Sequence, residues 1–133
     1  MLNRSYQMNG VCVIVPLSLV YRYRHSLDIL SAALIHLTAL RDQCASIDMR
    51  TKLTRRVRDW RIELANIELN LAERQAELLM IHSTHTQWVI DQSPDTYADF
   101  MSLLQLEIEK ENQWLSAFQT RKKQTIHHYQ SML

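Results

Sequence analysis

The chain has 133 residues, and its 15 basic and 14 acidic side chains leave a formal net charge of +1. This length suits one domain, and so small a charge excludes a protein-wide attraction to nucleic acid or membranes. One glycine and two prolines occur, where an average chain of this length has roughly nine and six or seven. Because sheet-containing folds use these residues in their turns, the composition predicts an all-α protein with few, long helices.

The N-terminal segment, residues 1–25, is predicted to form a short extended arm. Residues 11–15 are mostly β-branched and Pro16 follows them, which favours one short strand. This strand either pairs with another edge or packs unpaired against the helices, and both alternatives stay open. The apolar run is too short to span a membrane as a helix. Two widely spaced cysteines, Cys12 and Cys44, are typical of a reducing compartment, so we expect a cytoplasmic protein.

The first predicted helix runs from about Ser26 to Ala45. It carries two neighbouring apolar stripes, which indicate two packing neighbours. Their members are Leu27, Leu30, Leu34 and Leu37 in one, and Ala33, Leu37, Leu40, Cys44 and Ile47 in the other. The regular spacing of apolar residues stops after Ile47, so Ser46 or Asp48 is a candidate N-cap of a new helix. One unbroken helix with a phase slip is the alternative.

The second predicted helix, residues 49–82, has the clearest heptad pattern in the chain, interrupted only by Arg74. Such a pattern predicts coiled-coil-like packing. We call its apolar members the heptad seam: Val57, Trp60, Leu64, Ile67, Leu71 and Leu78, with Ile81 at its end. Ile62, Leu69 and Ala76 form a narrower stripe on another side of this helix. Two apolar sides favour a bundle over a two-stranded rod.

The third predicted helix runs from Pro94 to about Tyr129. Ser93, Pro94 and Asp95 are suited to the N-cap and the first two helical positions, where the missing proline N–H costs nothing. The second and third helices would fold back on each other around residues 83–93. The sequence thus predicts a long helical hairpin or three-helix bundle with coiled-coil character, in a helical domain of residues 26–133.

Charge is distributed unevenly along the predicted hairpin. Arginines cluster at the start of the second helix, and basic residues cluster at the end of the third. Glutamates and aspartates occupy the segments near the turn. An antiparallel hairpin would gather the basic segments at one end, which we call the basic end. Its candidate partner-binding residues are Arg55, Arg56, Arg58, Arg121, Lys122 and Lys123. These charges could keep the helices solvated, orient a protein partner or contact phosphates.

Catalytic and metal-binding patterns are absent from the sequence. It has no Gly-rich phosphate loop, no G-x-S-x-G and no H-E-x-x-H. His82 and His85 share a helical face, but no Asp, Glu or Cys at helical spacing completes a metal site there. We therefore expect neither an enzyme nor a cofactor, and we assign no catalytic, cofactor-binding or metal residue.

The function that these patterns favour is a non-enzymatic protein–protein interaction module, such as an adaptor, chaperone, inhibitor or assembly component. It would present coiled-coil helices to a protein partner or to another copy of itself. The alternative is a small DNA- or RNA-binding regulator that uses the basic end. In outline, the charged hairpin resembles the small stalk proteins of flagellar and type III export ATPases, although no motif carries the resemblance and the apolar N-terminal segment departs from it.

Overall fold

The described part of the chain consists of three helices and the connection between the first two. A computed structural model describes the backbone of residues 11–90 and 94–133 and the side chains of 13–82 and 95–133. The helices are α1 (Val11–Gln43), α2 (Ile47–Ile90) and α3 (Pro94–Ser131). They contain 95% of the described residues, none of which lies in a strand. The predictions of an all-α fold and of a three-helix bundle are confirmed.

The first helix begins at Val11, so the predicted strand over residues 11–15 is wrong, and Ser26 lies inside a helix rather than at its start. Pro16 lies near the N-terminal end of α1, where it removes only one intrahelical hydrogen bond. Ile14 and Pro16 are both buried, and this burial outweighs the local β preference of the segment. Residues 1–10 lie outside the described part, so the division into an arm of 1–25 and a domain of 26–133 stays a prediction.

Residues 44–46 connect α1 to α2 and settle the alternative of one unbroken helix. The Met49 backbone N–H donates to the Ser46 hydroxyl across 3.3 Å, and the Arg50 N–H donates to the Ser46 carbonyl across 2.9 Å. Ser46 is therefore the N-cap of α2. At the start of α3, the predicted cap Ser93 lies outside the described residues, whereas Pro94 begins the helix as predicted.

The first helix packs against both of the others, as its two apolar stripes predicted. Leu30 and Leu37 are completely buried. Further members of the stripes are buried with them: Ala33, Leu34, Leu40 and Cys44. The core continues into α2 and α3 through Leu53, Val57, Trp60, Phe118, Ile126 and Tyr129.

The direction of the helices follows from their contacts. Tyr21 donates its hydroxyl proton to Asn112 across 2.6 Å, and His36 Nε2 lies 3.2 Å from Gln130 Nε2. Later residues of α1 thus lie beside later residues of α3, so these helices run parallel. The short connection makes α2 antiparallel to α1. With 33, 44 and 38 residues, the helices are about 50, 66 and 57 Å long.

Candidate functional site

The heptad seam of α2 faces the interior of the bundle. Val57, Trp60 and Ile67 are buried, and Leu64, Leu71 and Leu78 are partly buried. Burial is deepest in the first half of the helix, where Val57 and Trp60 join the main core. The seam therefore holds the bundle together along α2, and it is not free for a partner.

The opposite side of α2 carries a second apolar pattern, which is exposed. The spacing is again three and four residues, as in a coiled-coil seam. We call this set the exposed stripe: Ile62, Ala65, Leu69, Ala72, Ala76 and Leu79, all classed as exposed. The large members keep 56%, 60% and 67% of their surface accessible at Ile62, Leu69 and Leu79, and the adjacent Met80 keeps 69%.

The two apolar sides of α2 point in nearly opposite directions. At 100° per residue, the middle of the exposed stripe lies about 140° around the helix from the middle of the heptad seam. The accessibility of the side chains supports this geometry, because Ile67 in the seam is 8% exposed and Leu69 in the stripe is 60% exposed. Three of the six stripe residues were named in the sequence analysis. Ala65, Ala72 and Leu79 were missed, although the same heptad spacing could have found them.

The structure divides the candidate residues of the basic end into two groups. Arg55, Arg56, Arg121 and Lys123 are exposed, and none of them forms an ion pair with any residue that the structure describes. Arg58 is also exposed, with its Nε 4.0 Å from the Asp59 carboxylate. Beside this group, a shallow groove of about 480 Å³ lies along α3, and Lys123 and His127 are among its lining residues.

Lys122 forms the second group, because its ammonium is engaged inside the bundle. It lies 2.7 Å from the Glu63 carboxylate, and 4.7 and 5.1 Å from the ring centroids of Trp60 and Phe118. Only 13% of its side chain is accessible. Lys122 thus joins α3 to α2 through one ion pair and two cation–π contacts, which leaves it unavailable to an external partner.

A second polar cluster joins α1 to α3. The Arg22 guanidinium carbon lies 4.1 Å from the Trp114 ring centroid, and its Nε lies 3.7 Å from Glu111 Oε2. Burial raises the pKa of the Glu111 carboxyl above its ordinary value, the positive charge of Arg22 opposes this shift, and Glu107 adds to it. The Arg22 Nε and Glu111 Oε2 atoms are buried without a hydrogen bond. This cluster fixes the register of α1 and α3 while leaving its charges poorly solvated.

Arg74, the polar interruption of the heptad seam, pairs within its own helix. Its Nη1 lies 2.7 Å from Oε2 of Glu77, which stands three residues further along α2. The Arg74 Nε is buried without a hydrogen-bond partner. Among the described residues, the ion pair of Arg74 is therefore local to α2 and does not join two helices.

Metal-binding side chains do not cluster in the described residues: no group of three His, Cys, Asp or Glu could hold an ion there. The side chain of His85, one of the two histidines considered from the sequence, lies outside the described residues. Cys44 is a buried free thiol. Within the described residues, no helix is both long and apolar enough to cross a membrane.

Comparisons with known proteins identify no relative of this chain. No family model, curated protein or solved structure matches it. The two surfaces of the molecule that could bind a partner are the exposed stripe of α2 and the basic end.

Proposed function

We propose that this protein is a non-enzymatic interaction module that binds a protein partner through the exposed stripe of α2. The observation that carries the proposal is the accessibility of six apolar residues at coiled-coil spacing on one side of one helix. Scattered apolar residues on a surface need no explanation, but a contiguous row of them indicates an interaction site.

The spacing of the stripe favours a helical partner. Residues repeated at three and four positions make a straight row on a helix, and a second helix can insert its own side chains between them. Three of the six positions are alanines, which allow two helix backbones to approach closely. The stripe spans residues 62–79, and its length is about 26 Å, enough for nearly five turns of a partner helix.

A second candidate function is nucleic-acid binding by the basic end. The observation that favours it is a group of exposed basic side chains that form no ion pair with a described residue: Arg55, Arg56, Arg121 and Lys123. Against it, Glu68 and Glu73 are exposed further along α2, and they would repel a nucleic acid that followed the helix. We therefore favour the protein-binding function, in which the basic residues orient the partner.

Affinity purification with matched variants tests the preferred function. The wild-type protein, Leu69→Glu and Ile35→Glu would each be expressed in the native host, and the co-purifying proteins would be identified by mass spectrometry. Ile35 is the control because it is 74% exposed on α1, outside the stripe. We expect a partner that is retained by wild type and by Ile35→Glu and is lost with Leu69→Glu. Equal recovery of every partner with Leu69→Glu would contradict the proposal.

Oligonucleotide binding at varied salt tests the alternative. About six phosphate contacts would lower the observed affinity by roughly a thousand-fold between about 50 and 200 mM salt. Under our proposal, generic duplex and single-stranded oligonucleotides bind weakly, and Arg55→Glu/Arg56→Glu slows association with a protein partner. Submicromolar oligonucleotide binding that this double substitution abolishes would favour the nucleic-acid function instead.

A further inference from the structure

We infer that the exposed stripe of α2 is the contact between two copies of this chain, paired antiparallel about a two-fold axis between Leu69 and Ala72. This inference rests on the proposed function and names its partner. A two-fold contact requires a surface that is complementary to itself, so the order of large and small residues along the stripe and the charges beside it must both suit a second copy.

The side-chain sizes along the stripe meet this requirement. In an antiparallel pair, each position at the start of the stripe faces one at the end of the partner's stripe. At the centre, Leu69 of one copy would face Ala72 of the other, and a large residue would fill the space left by a small one. Further out, Ala65 would face Ala76, and at the ends Ile62 would face Leu79. Both residues of every facing pair are therefore apolar, and next to the two-fold axis no large residue faces another large one.

The residues that flank the stripe distinguish antiparallel from parallel pairing. Glu68 and Glu73 occupy its two edges. In a parallel pair, Glu68 of each copy would face Glu73 of the other, which brings like charges together twice. In the antiparallel pair, Glu68 faces Gln75 and Glu73 faces Asn66, so each carboxylate meets a neutral amide. Electrostatics thus favours the antiparallel arrangement.

The bundle leaves this contact free. The heptad seam, which packs against the rest of the bundle, lies on the opposite side of α2, and all six stripe residues are exposed. A strip about 26 Å long and about 10 Å wide is much smaller than the roughly 800 Å² per partner of a standard stable interface. The inference is therefore a weak, reversible dimer, which high protein concentrations are needed to populate.

Sedimentation equilibrium over about 1–200 µM protein tests the dimer. We expect the wild-type mass to rise from monomer towards dimer, Leu69→Glu to weaken association at least about tenfold, and Ile35→Glu to match wild type. Because Leu69 is 60% exposed, the variant should keep the circular dichroism spectrum of wild type. A monomer at every concentration, or equal association of Leu69→Glu, would overturn the inference.

A distance between spin labels tests the orientation. Asp59→Cys places a label beside the stripe but outside it, in a background with Cys12→Ser and Cys44→Ala. Antiparallel pairing separates the two labels by roughly 35 Å along the helices, counted at 1.5 Å per residue, whereas parallel pairing leaves them less than about 20 Å apart. Pulsed electron paramagnetic resonance separates the two values, and the shorter distance would overturn the antiparallel arrangement.

The proposed function and this inference fail in different ways. If the wild type stays monomeric while Leu69→Glu still loses a specific host protein, the stripe binds a different chain. The interaction function then stands, and the self-pairing inference is wrong. If the wild type forms a dimer that Leu69→Glu does not weaken, the contact lies elsewhere on the surface and the inference is wrong in that case also.

Discussion

Replacing Ile67 by alanine measures how much α2 depends on the heptad seam. The side chain is 8% exposed and belongs to the main core, so the substitution removes almost entirely buried carbon atoms. The loss combines transfer free energy with a cavity, and such changes cost about 2–5 kcal/mol. We expect about 3 kcal/mol, because residues on this part of α2 are less deeply buried than Leu53 and Val57. In a chain of this size, that loss lowers Tm by about 10 °C.

The matched control is Leu69→Ala on the exposed side of the same helix. Because Leu69 is 60% exposed and alanine is a good helix former, we expect a change of no more than about 0.5 kcal/mol in the monomer. Urea unfolding followed by circular dichroism, at a concentration that keeps the protein monomeric, gives both free energies. If Ile67→Ala left stability unchanged, or if Leu69→Ala cost as much, the assignment of inner and outer sides of α2 would be refuted.

Three further substitutions test the polar contacts. Glu111→Gln should change how the free energy of unfolding depends on pH. Because the pKa of Glu111 is raised in the folded state, the folded protein favours the protonated carboxyl over the charged one. The stability that this carboxyl contributes is therefore present at low pH and is lost as pH rises through the folded-state pKa. The wild type should therefore lose stability relative to the variant from about pH 4.5 upward, with the exposed Glu109→Gln as control. Lys122→Ala should cost about 1–3 kcal/mol through its lost ion pair and ring contacts, and Lys122→Met, which keeps the aliphatic stem, should cost less. Ser46→Ala should cost about 1 kcal/mol by removing the N-cap of α2.

Chemical unfolding measures all three. An unfolding free energy for Glu111→Gln that runs parallel to wild type across the pH range would show that burial of this carboxylate has no energetic consequence. Equal losses for Lys122→Met and Lys122→Ala would assign the effect to the lost ammonium, through its ion pair and ring contacts, and not to the aliphatic stem. A Ser46→Ala variant as stable as wild type would mean that water replaces the cap without cost.

Periodicity predicted the fold where it was long and uninterrupted. The heptad seam and the two stripes of α1 gave three helices and placed α1 between two neighbours, because a helix must bury each apolar side that it carries. The end of α1 was also predictable, since Ser46 is a strong capping residue where the apolar phase fails.

Local propensity failed at the N-terminal segment. β-branched residues followed by Pro16 favour a strand when considered alone, yet these residues begin α1. The decisive factor was tertiary: Ile14 and Pro16 are buried in the bundle, and no pattern within the segment encodes that contact.

The candidate site was predicted only in part. Sequence placed Lys122 with the other basic residues because charge alone cannot distinguish an exposed ammonium from one that lies over Trp60 and beside Glu63. The Arg74–Glu77 ion pair, by contrast, has the three-residue spacing that favours pairing on one helix, so the sequence could have predicted it. The exposed stripe was partly visible as Ile62, Leu69 and Ala76, but its accessibility depended on the packing of the other two helices.

Methyl NMR over a range of protein concentrations tests most directly the claim that α2 uses one apolar side for folding and the other for association. The methyl resonances of Ile62, Leu69 and Leu79 report on the exposed stripe, and those of Ile67 and Leu53 report on the interior. We expect that raising the protein concentration shifts or broadens the resonances of the exposed stripe and leaves those of the interior unchanged. Perturbations that appear instead at the basic end, with no change at Leu69, would contradict the claim.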